Sequence, residues 1–155
     1  MFVRSLEFKV YSLEKRDMKI YKITDVIPCY RTEGRCEKCK LAGAVSRMPF
    51  SVDENMEALV TEVLEPACEK LGKEIVVISG FRCPLENRRH GGSNDSQAVK
   101  GEAVEIAPVQ DSGFTVLDLA RVIEELGKYD ELIVYPTYVR VSYKRQGGNR
   151  KEVKR

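Results

Sequence analysis

The stretch SGFRCPLENRRHGGSNDSQAVKGEAVEI, residues 79–106, joins two strand-like segments through a loop rich in turn-forming residues. Gly80 and the pair Gly91–Gly92 permit tight backbone turns, because glycine adopts positive φ angles at little cost. Pro84 restricts the chain between them, and Asn87 can cap the loop with its side-chain amide. The pattern therefore predicts a sharply folded connection between two strands.

The same stretch contains the only histidine of the chain, His90. A histidine in a turn among arginines and a lysine is more often a surface residue, and this basic setting disfavours a bound cation. The alternative is a metal site in which His90 and Glu105 are joined by Cys83 or Asp95. The residue pattern favours the surface interpretation.

Two segments with strand patterning flank the loop. EIVVIS, residues 74–79, is a β-branched run of strand length. GEAVEIA, residues 101–107, alternates between two faces, with Glu105 on one face and Ile106 on the other. Both segments are predicted to be strands.

The preceding segment, SVDENMEALVTEVLEPACEKLG, residues 51–72, has the periodicity of an amphipathic helix. Ser51 and Glu54 make a capping box at its start, and Gly72 marks its end. Pro66 removes one backbone donor inside the pattern, so the helix is expected to kink or split there. The predicted buried face consists of Met56, Leu59, Val60, Val63, Leu64, Ala67, Cys68 and Leu71.

A second helix and a hairpin follow the central stretch. TVLDLARVIEELG, residues 115–127, has Thr115 as its predicted N-cap. The strand-like segments ELIVY and YVRVSYK are joined tightly through Pro136 and Thr137, which predicts an antiparallel hairpin. This order of elements favours the α+β class, with helices packed on a small, mainly antiparallel sheet.

Composition limits the possible classes of function. The chain has 155 residues, of which 43% are hydrophobic and 32% charged, and a formal net charge of +2. This length favours one domain, and the nearly balanced charge gives no support to a nucleic-acid partner. No apolar run approaches the roughly 18 residues that a membrane helix requires. The N-terminal segment lacks the apolar stretch of a signal peptide, so we expect a cytoplasmic location, or release by another route.

The chain is predicted to have three parts. Residues 1–17 form an N-terminal extension, because Met18 is a plausible alternative start, although their alternation would also suit an edge strand. Residues 18–145 form the single domain. Residues 146–155 form a basic tail, which we expect to be solvated and frayed.

Five cysteines, an odd number without an export signal, argue against a disulfide framework. Cys29, Cys36 and Cys39 form a C-x6-C-x2-C cluster, and a C-x2-C pair is half of a structural zinc site. No second pair of this kind supplies the remaining ligands. Reduced thiols in a surface loop are therefore the favoured interpretation, and a metal or redox role is the alternative.

The opening stretch and the later hairpin resemble the zinc D-Ala-D-Ala carboxypeptidase family, which includes phage endolysins and has the Hedgehog/DD-peptidase fold. Its members read S-G-[YF]-R-[ST]-P-x-x-N-x-x-x-G-G, then S-x-H-x-x-G-x-A-x-D, and later a Glu ahead of a W-x-H-V-S-like strand. The corresponding segments here are SGFRCPLENRRHGG, SQAVKGEAVE and YVRVS. The resemblance covers about residues 48–144 and implies the fold of that family.

The resemblance also implies which residues stand at the family's active-site positions. The first histidine ligand corresponds to Ala98, the aspartate ligand to Glu105, and the second histidine ligand to Arg140. The catalytic glutamate falls at or near Tyr135. Alanine has no donor atom and arginine stays protonated, so zinc, the cofactor expected of the family, loses its ligands. An ion pair between Arg140 and Glu105 would fill the vacated site, whereas side chains turned to solvent are the alternative.

Other positions of the family groove suit ligand binding. Arg82 matches a family arginine that faces the substrate, where it would bind a peptide carboxylate, and a structural salt bridge is its alternative role. Ser96 and Gln97 stand on the loop expected to overhang the groove, and Ser142 follows the lost second ligand. We therefore expect these residues, together with Glu105 and Arg140, to contact a ligand.

These substitutions predict a catalytically degenerate peptidase-like domain that uses no cofactor and binds a peptidoglycan-type peptide or a protein partner. The first alternative is an active cell-wall peptidase with a non-standard metal site. The second is a nucleic-acid or virion-associated module that uses the basic tail and the cysteine-rich loop. The sequence shows no interleaving of aromatic and basic residues that would support this second alternative.

Overall fold

A computed structural model shows helices packed against a five-stranded, mainly antiparallel sheet. This architecture confirms the predicted α+β class. No helix in the described part of the chain is both long and apolar enough to cross a lipid bilayer. The structure describes residues 7–11, 18–22, 50–73, 75–82, 84–89 and 91–155.

The amphipathic segment forms a helix in three consecutive parts. α1 spans Phe50–Leu59, a π-helical turn spans Val60–Leu64, and α2 spans Glu65–Leu71. Pro66 lies in the first turn of α2 and has no backbone N–H, so it cannot continue the regular hydrogen-bond pattern. The wider turn accommodates this loss, because the first amide of α2 donates to the first carbonyl of the π-helical turn, five residues earlier. The split predicted at Pro66 therefore takes the form of a π-helical turn before it.

The inner face of this long helix forms much of the hydrophobic core. Met56 and Leu59 are fully buried, and Cys68 is buried with them as a small core residue. Gly72 ends α2 in the left-handed conformation, with φ of 66°, as the pattern predicts. The side chain of Ser51, the predicted cap, lies outside the described residues.

The strands of the described residues form two sheets. β1 (Glu7–Tyr11) and β2 (Met18–Lys22) make a two-stranded antiparallel sheet. The order in the larger sheet is β3-β4-β6-β5-β7, and only the contact between β5 and β7 is parallel. Its strands are β3 (Ile75–Ser79), β4 (Ala103–Pro108), β5 (Glu131–Val134), β6 (Val139–Ser142) and β7 (Glu152–Lys154).

The described residues contain three further helices: α3 (Pro84–Arg89), α4 (Gln97–Lys100) and α5 (Val116–Leu126). The predicted cap of α5 is confirmed, because Thr115 Oγ1 accepts a hydrogen bond from the amide of Asp118 at 3.2 Å. Asp118 Oδ2 accepts in return from the amide of Thr115 at 2.8 Å, which completes a capping box. The buried residues of α5 are Leu119, Ala120 and Ile123.

The predicted hairpin is formed by β5 and β6, which pair in antiparallel fashion. The amide of Tyr135 donates to the carbonyl of Tyr138 at 2.9 Å and closes a turn around Pro136 and Thr137. Because β6 also pairs with β4, this hairpin places β6 beside the end of the stretch 79–106.

The expectation of a frayed C-terminal tail over residues 146–155 is wrong for its last part, because β7 pairs with β5 at the edge of the sheet. The carboxylate of Asp130 is fully buried and accepts hydrogen bonds from both Nη2 and the backbone amide of Arg150, each at 2.9 Å. Lys144 Nζ lies 3.8 Å from the same carboxylate. A buried charge requires partners, and the basic segment provides them.

The N-terminal strands cross the predicted boundary of the extension. β1 lies within residues 1–17 and pairs with β2, so that Tyr11 stands opposite Met18. The alternation noted in the sequence thus corresponds to a strand, and its partner belongs to the predicted domain.

Candidate functional site

The centre of the candidate site lies on two neighbouring strands. Glu105 on β4 stands directly opposite Arg140 on β6, and Ser79 at the end of β3 stands opposite Glu105 on the other side. Residues that face each other across antiparallel strands share one face of the sheet. The strand register therefore places Glu105 and Arg140 side by side, which are the residues that the resemblance aligns with the family's aspartate and second histidine ligands.

The loop after β3 brings the remaining positions to this face. The amide of Arg82 donates to the carbonyl of Ala98 at 3.1 Å, which connects the start of the loop to α4. Ser96 is the N-cap of α4, and its hydroxyl accepts from the amide of Ala98 at 3.3 Å. Gln97 begins α4 and is partly buried. Ala98, which the resemblance aligns with the family's first histidine ligand, thus lies in the same region as Glu105 and Arg140.

A buried asparagine fixes the glycine-rich part of the loop. Asn87 is 1% exposed, and its Nδ2 donates to the carbonyl of Ser93 at 2.6 Å. The amide of Gly92 donates to the carbonyl of Asn87 at 2.8 Å. A Cβ atom on Gly92 would overlap Asn87 Oδ1, so only glycine permits this close approach. The capping role predicted for Asn87 is therefore confirmed.

The carboxylate of Glu105 forms an ion pair. Arg82 Nη2 lies 2.7 Å from Glu105 Oε1, and the two side chains are 22% and 17% exposed. From the sequence, Arg140 is the predicted partner of Glu105, and a structural salt bridge is the alternative role of Arg82. The structure shows the second arrangement, in which the loop arginine reaches the central strand.

Arg140 makes a different contact. Its Nη2 donates to Ser96 Oγ at 3.5 Å, which is longer than an ordinary N–H···O hydrogen bond and therefore weak. This is the only hydrogen bond of its guanidinium to a side chain in the described residues. The guanidinium is partly buried and retains donors for a further partner.

Two tyrosines lie beside these charged residues. The rings of Tyr135 and Tyr138 are stacked, with centroids 4.5 Å apart and planes inclined by 18°. Burial raises the pKa of the Tyr138 phenol, and the nearby charge of Glu105 acts in the same direction. Tyr138 is not among the site residues predicted from the sequence. Its position two residues before Arg140 on an alternating strand is the signal that could have identified it.

Ser142 lies two residues after Arg140 on β6 but is buried. It is 2% exposed, its hydroxyl accepts from the amide of Glu131 at 3.0 Å, and the same oxygen lies 3.4 Å from the Glu131 carbonyl. The hydroxyl therefore connects β5 to β6 and is not offered to a ligand. This placement corrects its prediction as a binding residue.

The site residues surround a shallow depression that is partly open to solvent and encloses no space for a water molecule. Main-chain and small side-chain atoms form its floor, and charged side chains form its rim. The lining residues are Ser79, Gly80, Arg82, Ala98, Ala103, Val104, Glu105 and Arg140.

A family model of the peptidase M15 proteins matches residues 35–136, well over half of the sequence. The chain belongs to the peptidase M15 family. No curated protein matches the sequence closely enough to count as a relative. The matched segment of this M15 domain includes Ala98, Glu105 and Tyr135 but ends before Arg140, whose correspondence to the second histidine ligand is an expectation from the resemblance of YVRVS to the family's late strand.

The side chains at the family's ligand positions do not fit a zinc ion. Ala98 offers no donor atom, Arg140 is cationic, and Glu105 is already bound by Arg82. Within the described ranges, no three His, Cys, Asp or Glu side chains come together in a group that could hold a metal. The alternative ligands His90 and Cys83 lie outside the described residues, as do Cys29, Cys36 and Cys39.

Proposed function

We propose that this M15 domain binds a peptide of the peptidoglycan stem type, or a similar segment of a protein partner, without hydrolysing it. The observation that carries the proposal is the ion pair of 2.7 Å between Arg82 Nη2 and Glu105 Oε1. It occupies the one family ligand position that still has a metal-binding side chain.

The charge distribution supports the absence of a catalytic metal. A hydrolytic zinc site uses about three protein ligands and leaves one position for a water molecule, whose pKa the metal lowers. Here a cation at Glu105 would have to displace the guanidinium of Arg82, and it would also meet the positive charge of Arg140 on the adjacent strand. Both effects disfavour a cation at this position.

The position of the proton-transfer residue supports the same proposal. The family's catalytic glutamate corresponds to a residue at or near Tyr135, whose ring is stacked on that of Tyr138. A phenol does not accept a proton from water at neutral pH as a carboxylate does. Neither the activation of water by a metal nor its deprotonation by this side chain is therefore expected.

The retained frame supports ligand binding. The loop is fixed by Asn87 and Gly92, and Ala98 is connected to it through the amide of Arg82. Arg140 lines the depression, and its guanidinium makes only the long contact with Ser96 Oγ among the described side chains. A groove that has lost catalysis but keeps a rigid, polar rim suits recognition.

The experiment combines metal analysis, hydrolysis and binding on the full chain. Elemental analysis of purified protein is paired with hydrolysis of an N-acyl-D-Ala-D-Ala peptide and with calorimetric binding of the same peptide. We expect binding without turnover and no zinc in the groove. A matched variant in which Cys29, Cys36 and Cys39 are serine identifies any zinc that the cysteines hold.

Stoichiometric zinc that persists in the cysteine variant, together with turnover, would establish the alternative of an active cell-wall peptidase with a non-standard metal site. Failure of the peptide to bind would overturn the proposed recognition of a stem-type peptide.

A further inference from the structure

Arg140 carries the uncompensated charge of the depression. Glu105 contributes one negative charge, and Arg82 neutralises it at 2.7 Å. Arg140 contributes a second positive charge, and its hydroxyl contact with Ser96 brings no counter-charge. The three ionised groups therefore sum to +1 on one face of the sheet, in a partly enclosed setting where charge interactions are stronger than in bulk water.

The geometry of the guanidinium selects the chemistry of the ligand. An arginine side chain has five N–H donors in a fixed planar arrangement, which matches a carboxylate or a phosphate in bidentate fashion. Arg82 already directs Nη2 towards Glu105, whereas Arg140 has only the long contact to Ser96. An arriving oxyanion therefore finds its partner at Arg140, the position where the family carries a metal ligand.

The surroundings favour an anion attached to a small organic chain over free phosphate. Tyr138, stacked on Tyr135, lies close enough to Arg82, Glu105 and Arg140 for their charges to act on its phenol. A stacked aromatic pair presents a flat, apolar surface on which a short peptide can pack. A free inorganic anion gains nothing from such a surface.

We infer that Arg140 is the anchor for the free C-terminal carboxylate of the bound peptide, whose last residues lie against Tyr138. This inference rests on the proposed function and specifies the end of the ligand that is recognised. In this arrangement the ligand's carboxylate approaches the region of the lost metal, and Arg82 remains with Glu105 as a fixed part of the wall.

The test is a thermodynamic cycle between ligand and protein. Binding of an N-acyl-D-Ala-D-Ala peptide as the free acid and as the C-terminal amide is measured by calorimetry with the wild-type full chain and with Arg140→Gln. We expect the wild type to bind the acid at least tenfold more tightly than the amide, because a charge-assisted bidentate contact is lost in the amide. In Arg140→Gln this difference should disappear.

Matched variants separate a local effect from a general one. Arg121→Gln removes an arginine that is 67% exposed and lies on α5 outside the depression, so its preference for the acid should equal that of the wild type. Arg140→Lys keeps the charge but not the planar arrangement, and an intermediate preference is expected. Thermal unfolding of each variant shows that it is folded.

Each outcome separates the inference from the proposed function. If the wild type binds acid and amide equally, or Arg140→Gln keeps the preference, the role of Arg140 is overturned while peptide binding stands. If neither peptide binds the wild type, the proposed function fails. If inorganic phosphate competes as strongly as the peptide acid binds, the site is a general anion site and the peptide anchor is overturned.

Discussion

Glu105 and Arg140 stand directly opposite each other on β4 and β6, yet their side chains do not form an ion pair. The carboxylate is held instead by an arginine from the loop, at 2.7 Å. This arrangement joins the glycine-rich loop to the centre of the sheet. It also leaves the arginine on β6 available, which is the feature on which the proposed ligand recognition depends.

Replacement of Glu105 by glutamine is expected to lower the free energy of unfolding by about 1–2 kcal/mol, because Arg82 would lose its charged partner in a setting that is only partly exposed. Urea denaturation followed by circular dichroism measures the change. The control is Glu125→Gln, which removes the pair of two exposed side chains, Glu125 and Lys70, and should leave the unfolding midpoint unchanged. Equal effects of the two substitutions would contradict a structural role for the Arg82–Glu105 pair.

Replacement of Gly92 by alanine is expected to destabilise the domain by about 1–3 kcal/mol, because the new Cβ would overlap the buried amide of Asn87. Gly148→Ala is the control, since a Cβ at that position meets no atom within 4 Å. Thermal unfolding of both variants measures the difference. If Gly92→Ala is as stable as the control, Asn87 can move and the loop is less tightly fixed than its hydrogen bonds indicate.

The sequence predicts the frame of the site better than its contacts. The resemblance to the family brings Glu105 and Arg140 together, whereas alternation and the short turn predict only the strand faces and the pairing of β5 with β6. The choice of Arg82 as the ionic partner could not be predicted, since it depends on where the loop backbone lies relative to Ala98. A pattern of residue types carries no information on which of two long, flexible side chains reaches a carboxylate.

The C-terminal segment illustrates the same limit. Basic residues at a chain end are usually solvated, and that pattern predicted a frayed tail. Asp130 follows the second long helix and gives no sign in the sequence that it is buried. Only the fold shows that Arg150 and β7 are held by this carboxylate, twenty residues earlier in the chain.

Replacement of Asp130 by asparagine is expected to destabilise the domain by about 2–4 kcal/mol and to release β7 from the sheet edge. The reason is that Arg150 donates to this carboxylate through Nε, Nη2 and its backbone amide. Hydrogen exchange of the β7 amides, together with urea denaturation, measures both effects. Asp111→Asn, at an exposed loop residue, is the control for the loss of one carboxylate. Unchanged protection of β7 in Asp130→Asn would show that the strand is held by its backbone contacts alone.

The same carboxylate should make stability depend on pH. Burial by itself would raise the pKa of Asp130, but the hydrogen bonds and charge of Arg150 outweigh it and hold this pKa below the ordinary value of 3.8. A lowered pKa means that the stabilisation is fully present above the pKa of the unfolded chain. It is lost as the pH falls through the lower value of the folded state. The stability difference between wild type and Asp130→Asn should therefore be constant from pH 5 to pH 7 and shrink below about pH 4. A difference that grows on acidification contradicts this sign.

Introducing the family's metal ligands should create a metal site if the backbone around Ala98, Glu105 and Arg140 has the family's geometry. The triple variant Ala98→His, Glu105→Asp and Arg140→His places two imidazoles and a carboxylate around the depression, and the substitution at residue 140 also removes the opposing charge. We expect it to bind zinc with at least a hundredfold higher affinity than the wild type, measured by calorimetry with Cys29, Cys36 and Cys39 replaced by serine in both proteins.

The single variant Arg140→His is the informative control for this experiment. It removes the repelling charge and adds one imidazole, but Ala98 still offers no donor and Arg82 still binds Glu105. Its zinc affinity should therefore remain far below that of the triple variant, because one imidazole and an occupied carboxylate do not make a three-ligand set. If the triple variant folds with an unchanged unfolding midpoint but binds no more zinc than this control, the backbone around Ala98 and Arg140 no longer has the family's metal-binding geometry. The proposed absence of hydrolysis would then depend on the backbone as well as on the side chains.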